Sequence, residues 1–152
     1  MDHPFSASEF KEIFSRVPRL CVDLMVRTPQ GIILTLRSLP TWNNMWHTPG
    51  GTVRYKETIT DAAARVAKSE LGVEVTIVKT LGYMEFPSEE QERGFGWSVS
   101  IALLSEMQSG ELVGKNDEAS DMRAFTELPE NTLSEHRVFL TEHWSEIREG
   151  VF

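Results

Sequence analysis

The run Pro49-Gly50-Gly51-Thr52-Val53-Arg54-Tyr55-Lys56-Glu57, continued by Thr58 to Leu71 and closed by Gly72-Val73, decides how this chain folds. A Pro-Gly-Gly turn brings backbone close to a ligand, because glycine has no side chain in the way. Gly50 can therefore offer a carbonyl oxygen to a hard cation. Beyond the turn, Ile59, Ala62, Ala63, Val66, Ala67 and Leu71 recur at helical spacing, and Gly72 stands where a C-capping glycine belongs. Glu70 follows Val66 by four residues, at the edge of the apolar stripe. A carboxylate there is costly to bury without a partner. Magnesium is one such partner, since it takes oxygen ligands and shares them with substrate phosphates. A Glu70 that faces solvent or pairs with a nearby Lys or Arg is the alternative.

Upstream, Ser6 and Glu9 form a capping-box pattern, with Phe10, Ile13, Phe14 and Val17 at helical spacing, ended by Pro18. Leu20 to Val26 is an apolar run, the turn Thr28-Pro29-Gln30-Gly31 follows, and Ile32 to Leu36 returns, which predicts a hairpin. A loop rich in Pro, Trp and Asn then leads into the Pro-Gly-Gly turn. Downstream, Val73 to Phe86 reads as a long or broken strand with Gly82 as a bulge, Phe95 to Leu104 as a further strand, and Ala119 to Phe125 as a shorter one. Leu133 to Ile147 has the pattern of a terminal amphipathic helix. Strands joined more often by hairpins than by crossovers predict α/β architecture, a mixed sheet between helices.

The 152 residues suit one domain spanning 1–152, with no internal repeat or linker. A formal charge of −8 argues against a groove for DNA or RNA, which is held mainly by Lys and Arg clusters. A small phosphorylated ligand remains compatible if the positive charge is local or comes from a metal. Cys21 is the sole cysteine and lies in an apolar run, as a small core residue would. No segment approaches the ~20 apolar residues of a membrane span, and no secretory signal is visible at the N-terminus. A cytoplasmic protein without membrane or nucleic-acid-polymer partners is the expectation.

The spacing of Gly51, then Glu57 after five residues, Arg65 after seven more, and Glu70, Gly72 and Val73 resembles the Nudix box. The Pro-Gly-Gly lead-in and Trp46 before it fit as well. The resemblance implies a Nudix-like α/β/α sandwich and a Mg²⁺-dependent hydrolase acting on a small nucleotide substrate, with Gly50 and Glu70 as metal ligands. Gly51, Glu57, Arg65 and Gly72 would be the structural positions of the box, Glu57 and Arg65 pairing to fix the loop on the helix. Val66 and Ser69 stand where the family has metal-binding glutamates, so fewer ions are expected, one rather than two or three.

With Glu70 alone, the pattern is similar to the GDP-mannose mannosyl hydrolase branch, whose likeness covers most of the first 75 residues. It implies a nucleoside diphosphate linked to a sugar as substrate. Arg37 would then contact phosphate and contribute to catalysis, and Asp23 would contact sugar or base; a solvated Arg37 and an Asp23 paired within the sheet are the bland readings. Thr52 replaces the branch's arginine after the glycine pair, and Arg54 on the same strand face could substitute in substrate binding. Ala119 and Ser120 fall where that branch has a metal-ligating Gln and a general-base His. Glu118, with Asp117 and Asp121 beside it, could complete the metal site or deprotonate water, so Glu118 and Asp121 are the catalytic candidates against a solvated acidic loop. Ser98 lies near an expected tyrosine. His47, beside the turn, could reach substrate or be packed.

Other readings stay open: a pyrophosphohydrolase of nucleoside triphosphates or dinucleotides, and a non-catalytic nucleotide-binding module. The branch tends to dimerise, and Phe5, Phe10, Ile13 and Phe14 could form a homodimer interface or cap the core.

Overall fold

A computed structural model describes residues 3–152. The elements run α1 (Ala7–Phe14), β1 (Arg19–Thr28), β2 (Gly31–Arg37), β3 (Trp46–His47), β4 (Gly50–Thr52), α2 (Ile59–Val66), a π-helical turn (Ala67–Leu71), β5 (Val73–Glu85), α3 (Ser88–Arg93), β6 (Ser98–Gly110), β7 (Ala119–Phe125) and α4 (Ser134–Arg148). Seven strands make one mixed sheet. Its main path is β3-β2-β1-β6-β5, with β4 on β1 and β7 on β2, and only β1 and β6 run parallel.

Alternation along β1 sorts its side chains onto the two faces. Val22, Leu24 and Val26 pack with Ala62, Ala63, Val66 and Leu71 beneath α2, while Met25 packs with Ala102, Leu104, Phe139 and Leu140 beneath α4. Each of the Val, Leu, Met and Phe side chains among these contributes roughly 1.5–3 kcal/mol on burial. The sheet is thus covered by helices on both faces, the α/β/α sandwich expected.

On the α4 side the row turns polar toward the strand starts: Cys21 and Asp23 on β1 follow Met25, and Ser98 and Ser100 on β6 precede Ala102. One edge of β1 is also divided. Residues Cys21, Val22 and Asp23 pair with β4, whereas β2 pairs with Arg27 and Thr28. That division seats the Pro-Gly-Gly turn directly beside Asp23.

The structure revises several local expectations. α1 stops at Phe14, well before Pro18, and its capping box is formed by Ser6 and Glu9. β6 begins at Ser98 and runs to Gly110, because β5 pairs with it along both lengths; Gly82 falls at one of the register shifts between them. The loop after β2 contains β3 and β4, and the helix α3 was not anticipated.

Candidate active site

The helix that starts at Thr58 does not finish as an α-helix. Thr58 caps it by accepting from Asp61 N–H at 3.0 Å. After Val66 the hydrogen bonding widens to a π turn, a local form found often at functional sites. Gly72 closes it at φ 77°, a left-handed conformation that suits glycine. Val66 and Glu70 are buried and Ser69 is exposed, and all three line one cleft.

Glu70 therefore points inward, and its Oε2 accepts from Gly50 N–H at 3.1 Å. Burial first, then the negative charge of Glu118, pushes its carboxyl up to about 8; the Gly50 hydrogen bond and Arg37 only partly oppose this. Gly50 has no room for a side chain, since a Cβ would lie 2.6 Å from the Val22 carbonyl oxygen and 2.7 Å from Asp23 Oδ1.

Glu118 is brought to Glu70 by backbone and by Asn116. Asn116 Nδ2 donates to the Glu70 carbonyl at 3.0 Å, and its Oδ1 accepts from Glu118 N–H at 2.8 Å and Ala119 N–H at 2.9 Å. The Glu118 carbonyl accepts from Ser38 N–H at 2.9 Å. Arg37 faces the two acids. Its Nε donates to the Thr41 carbonyl at 2.6 Å, its Nη2 to Thr41 Oγ1 at 2.8 Å, and it lies over the Trp42 ring. Burial lowers its pKa, and the charges of Glu118 and Glu70 work against that.

These residues stand in a cleft of about 1170 Å³, which Asp23, Arg54, Arg65, His136, Glu89 and Arg93 also line. Among the described residues no three His, Cys, Asp or Glu side chains converge as a metal-binding group. Glu70 and Glu118 still fit one hard cation. Arg37 only partly offsets a buried carboxylate repelled by a second one, and magnesium commonly takes one or two carboxylates and completes its shell with water and phosphate oxygens.

Asp23 is paired within the fold. It accepts from Thr48 Oγ1 at 2.6 Å, from Ser100 Oγ and from His136 Nε2 at 3.2 Å. Burial alone would raise its pKa, but His136 and the three hydrogen bonds outweigh that and hold it below the ordinary value. Thr48 N–H donates to His136 Nδ1 at 3.4 Å, and His136 Nε2 faces Asp23. This network ties α4 to the residue two before Gly50. His47 is packed and neutral: Nδ1 donates to the Thr48 carbonyl at 2.8 Å, and burial with neighbouring His136 and Arg37 brings its pKa down to about 3.

Glu57 and Arg65 make the expected pair, with Arg65 Nε to Oε2 and Nη2 to Oε1 both at 2.8 Å, while Nη2 also reaches the Thr52 carbonyl at 2.9 Å. Arg65 holds the Glu57 carboxyl down near 2. Arg54 lines the cleft, but from the turn past the end of β4 and not from a strand face. Asp121 is not brought to the cleft. On β7 the alternation puts Arg123 on its side, and Arg123 Nε and Nη2 bind it at 2.8 and 2.7 Å. Cys21 is buried, and burial raises its thiol to about 11, as for an inert core residue.

Sequence reasoning missed α3 and what it delivers. Glu89, buried, accepts from Ser98 Oγ at 2.5 Å and Arg19 Nη2 at 2.9 Å, and lies 3.2 Å from Arg93 Nε. Trp42, at φ 47°, is anchored to α3 by its N–H to Glu92 Oε2 and its Nε1 to Ser88 Oγ, both at 3.0 Å.

The NUDIX domain family model matches residues 17–143. The low-salt glycan biosynthesis protein Agl8 of Haloferax volcanii is 46% identical over 77 residues, 51% of this chain and 49% of that protein. The NAD-capped RNA hydrolase NudC of Vibrio vulnificus is 31% identical over 111 residues, 72% of this chain and 40% of the relative. The chain thus spans about half the length or less of these curated relatives. Among solved structures, a NUDIX hydrolase from Nitrosomonas europaea superposes with a TM-score of 0.72 at 17% identity, covering 88% of this chain and 74% of that one, a likeness of fold.

Proposed function

The chain belongs to the Nudix family, and on that premise we propose that it is a Mg²⁺-dependent hydrolase of a nucleoside diphosphate linked to another group, a nucleotide sugar of the GDP-mannose kind. One observation carries the reading: Glu70, buried against the Gly50 turn and raised to about 8 by burial and Glu118, lines one cleft with Glu118 and Arg37, so that two carboxylates meet a single guanidinium there. A bound divalent ion supplies Lewis-acid stabilisation of charge developing on the diphosphate. Gly50, Glu70 and Glu118 would hold it. Arg37, fixed by Thr41, neutralises the departing phosphate from the other side. Glu118, set in place by Asn116 and Ser38, orients water and accepts its proton.

Asp23 acts here as a positioning residue for the turn, because three donors already occupy its oxygens. Arg54, on the cleft wall, contacts substrate. Asp121 takes no part. Support for the sugar comes from the glycan-biosynthesis name of the Haloferax relative, over half the chain. The NudC relative favours a second reading, pyrophosphate cleavage of a dinucleotide.

Incubation with Mg²⁺ and a panel of nucleotide sugars, dinucleotides and triphosphates, followed by phosphorus NMR, tests both. A nucleoside diphosphate plus free sugar supports attack at the sugar carbon, and a nucleoside monophosphate supports attack at phosphorus; oxygen-18 water marks the atom attacked. Saturable binding without turnover, unchanged in Glu70→Gln, would show a non-catalytic module instead.

A further inference from the structure

Two guanidinium groups share the Trp42 indole. Arg37 Cζ lies 5.3 Å and Arg93 Cζ 5.6 Å from its ring centroid, and Arg93 is also 5.6 Å from the Phe10 ring. Arg93 is aimed by Glu89, whose Oε2 it shares with Arg19. No hydrogen bond is made by the two amino groups of Arg93 among the described residues, and its side chain, 21% exposed, lines the cleft.

The charge count leaves this wall positive. Arg19 and Arg93 divide one carboxylate, Glu89, between them. Arg37 is compensated by Glu118, Glu70 and Glu92. Arg93 has only its share of Glu89, and burial with the neighbouring charges of Arg19 and Arg37 lowers its pKa, so an anionic ligand in the cleft relieves a positive charge at Arg93 whether or not a cation is bound. Guanidinium forks match phosphoryl oxygens in two-point hydrogen bonding. The indole they share is held at a cost: Trp42 has a left-handed backbone at φ 47°, and α3 clamps it through Ser88 and Glu92.

We infer that Arg93, which shares the Trp42 indole with Arg37, binds the second phosphoryl group of the substrate, so that the cleft selects nucleoside diphosphates over monophosphates. This rests on the nucleoside-diphosphate reading of the site, but not on the cation or on turnover. Arg93 is a binding residue for the phosphoryl oxygens, and Glu89 orients it.

The test is equilibrium binding of ADP against AMP, and GDP against GMP, in excess EDTA. Wild type and Glu70→Gln should both hold the diphosphate at least about tenfold tighter than the monophosphate. Arg93→Gln should bring the two within about twofold. Arg93→Lys, which keeps the charge and the pairing with Glu89, should fold like wild type by circular dichroism and lose at least about threefold of the preference. An undiminished preference in Arg93→Gln or Arg93→Lys, or none in wild type, overturns the inference. Failure of the hydrolase reading shows separately, as preference retained in EDTA without turnover when Mg²⁺ is supplied.

Discussion

In metal-free protein, Glu70→Gln should stabilise the fold at high pH and change little at low pH. The carboxyl is raised from 4.5 to about 8 in the folded state, chiefly by burial and then by Glu118. The folded chain therefore holds this proton more tightly than the unfolded one does. The resulting relative stability is fully present below pH 4.5, drains as the pH rises, and is gone once it passes about 8. At 1.36 kcal/mol per unit the rise corresponds to on the order of 5 kcal/mol, with little loss to solvent because the residue is only 9% exposed. Glutamine keeps an acceptor for Gly50 N–H and carries no charge to bury. Urea denaturation in EDTA at about pH 5 and about pH 9 measures the difference, which should grow by several kcal/mol between those conditions. Mg²⁺ should close much of the gap at the higher pH for wild type only, since the ion binds the deprotonated carboxylate. Parallel pH dependence in wild type and Glu70→Gln would refute the assignment of a buried, unpaired carboxylate.

Ser100→Ala removes a charge-assisted hydrogen bond from buried Asp23 and should cost ~1.5–3 kcal/mol, read by denaturation at neutral pH. Gly50→Ala places a Cβ against the Val22 carbonyl and Asp23; the turn must shift, and Mg²⁺ affinity measured by calorimetry should fall at least about tenfold. Asn116→Ala frees Glu118 from the π turn and should lower kcat about 10–100-fold with a smaller change in KM, as misplacement of a group close to the chemistry does.

The glycine and charge punctuation of residues 50–73 was readable because each position answers a local demand. Gly72 takes a positive φ, Glu57 and Arg65 close a loop, and the apolar stripe faces the sheet. β7 was readable over Ala119–Phe125 as a short strand after a polar loop. The rest depended on partners distant in sequence. Residues 105–110 form strand because β5 lies alongside, joined by β1 at Ser105 and Glu106. The π turn is a shift of backbone hydrogen bonds that no side-chain pattern encodes. α3, Ser-Glu-Glu-Gln-Glu-Arg, has no apolar residue to give periodicity, although Pro87 before it and Gly94 after it are helix punctuation. Glu89 and Arg93 were lost with it. His136 sat within the terminal-helix pattern, and nothing local marked it as the partner of Asp23, 113 residues away.

The central claim is that Glu70 and Glu118 hold a cation that catalysis requires. Its most direct measurement is the hydrolysis rate of one nucleotide sugar over a Mg²⁺ titration, in wild type and Glu70→Gln. Wild type should show saturable Mg²⁺ activation, and the variant a loss of about a hundred- to a thousandfold, equivalent to ~2–4 kcal/mol. Equal rates in the two proteins, or turnover in wild type that is indifferent to Mg²⁺ and to EDTA, would contradict it.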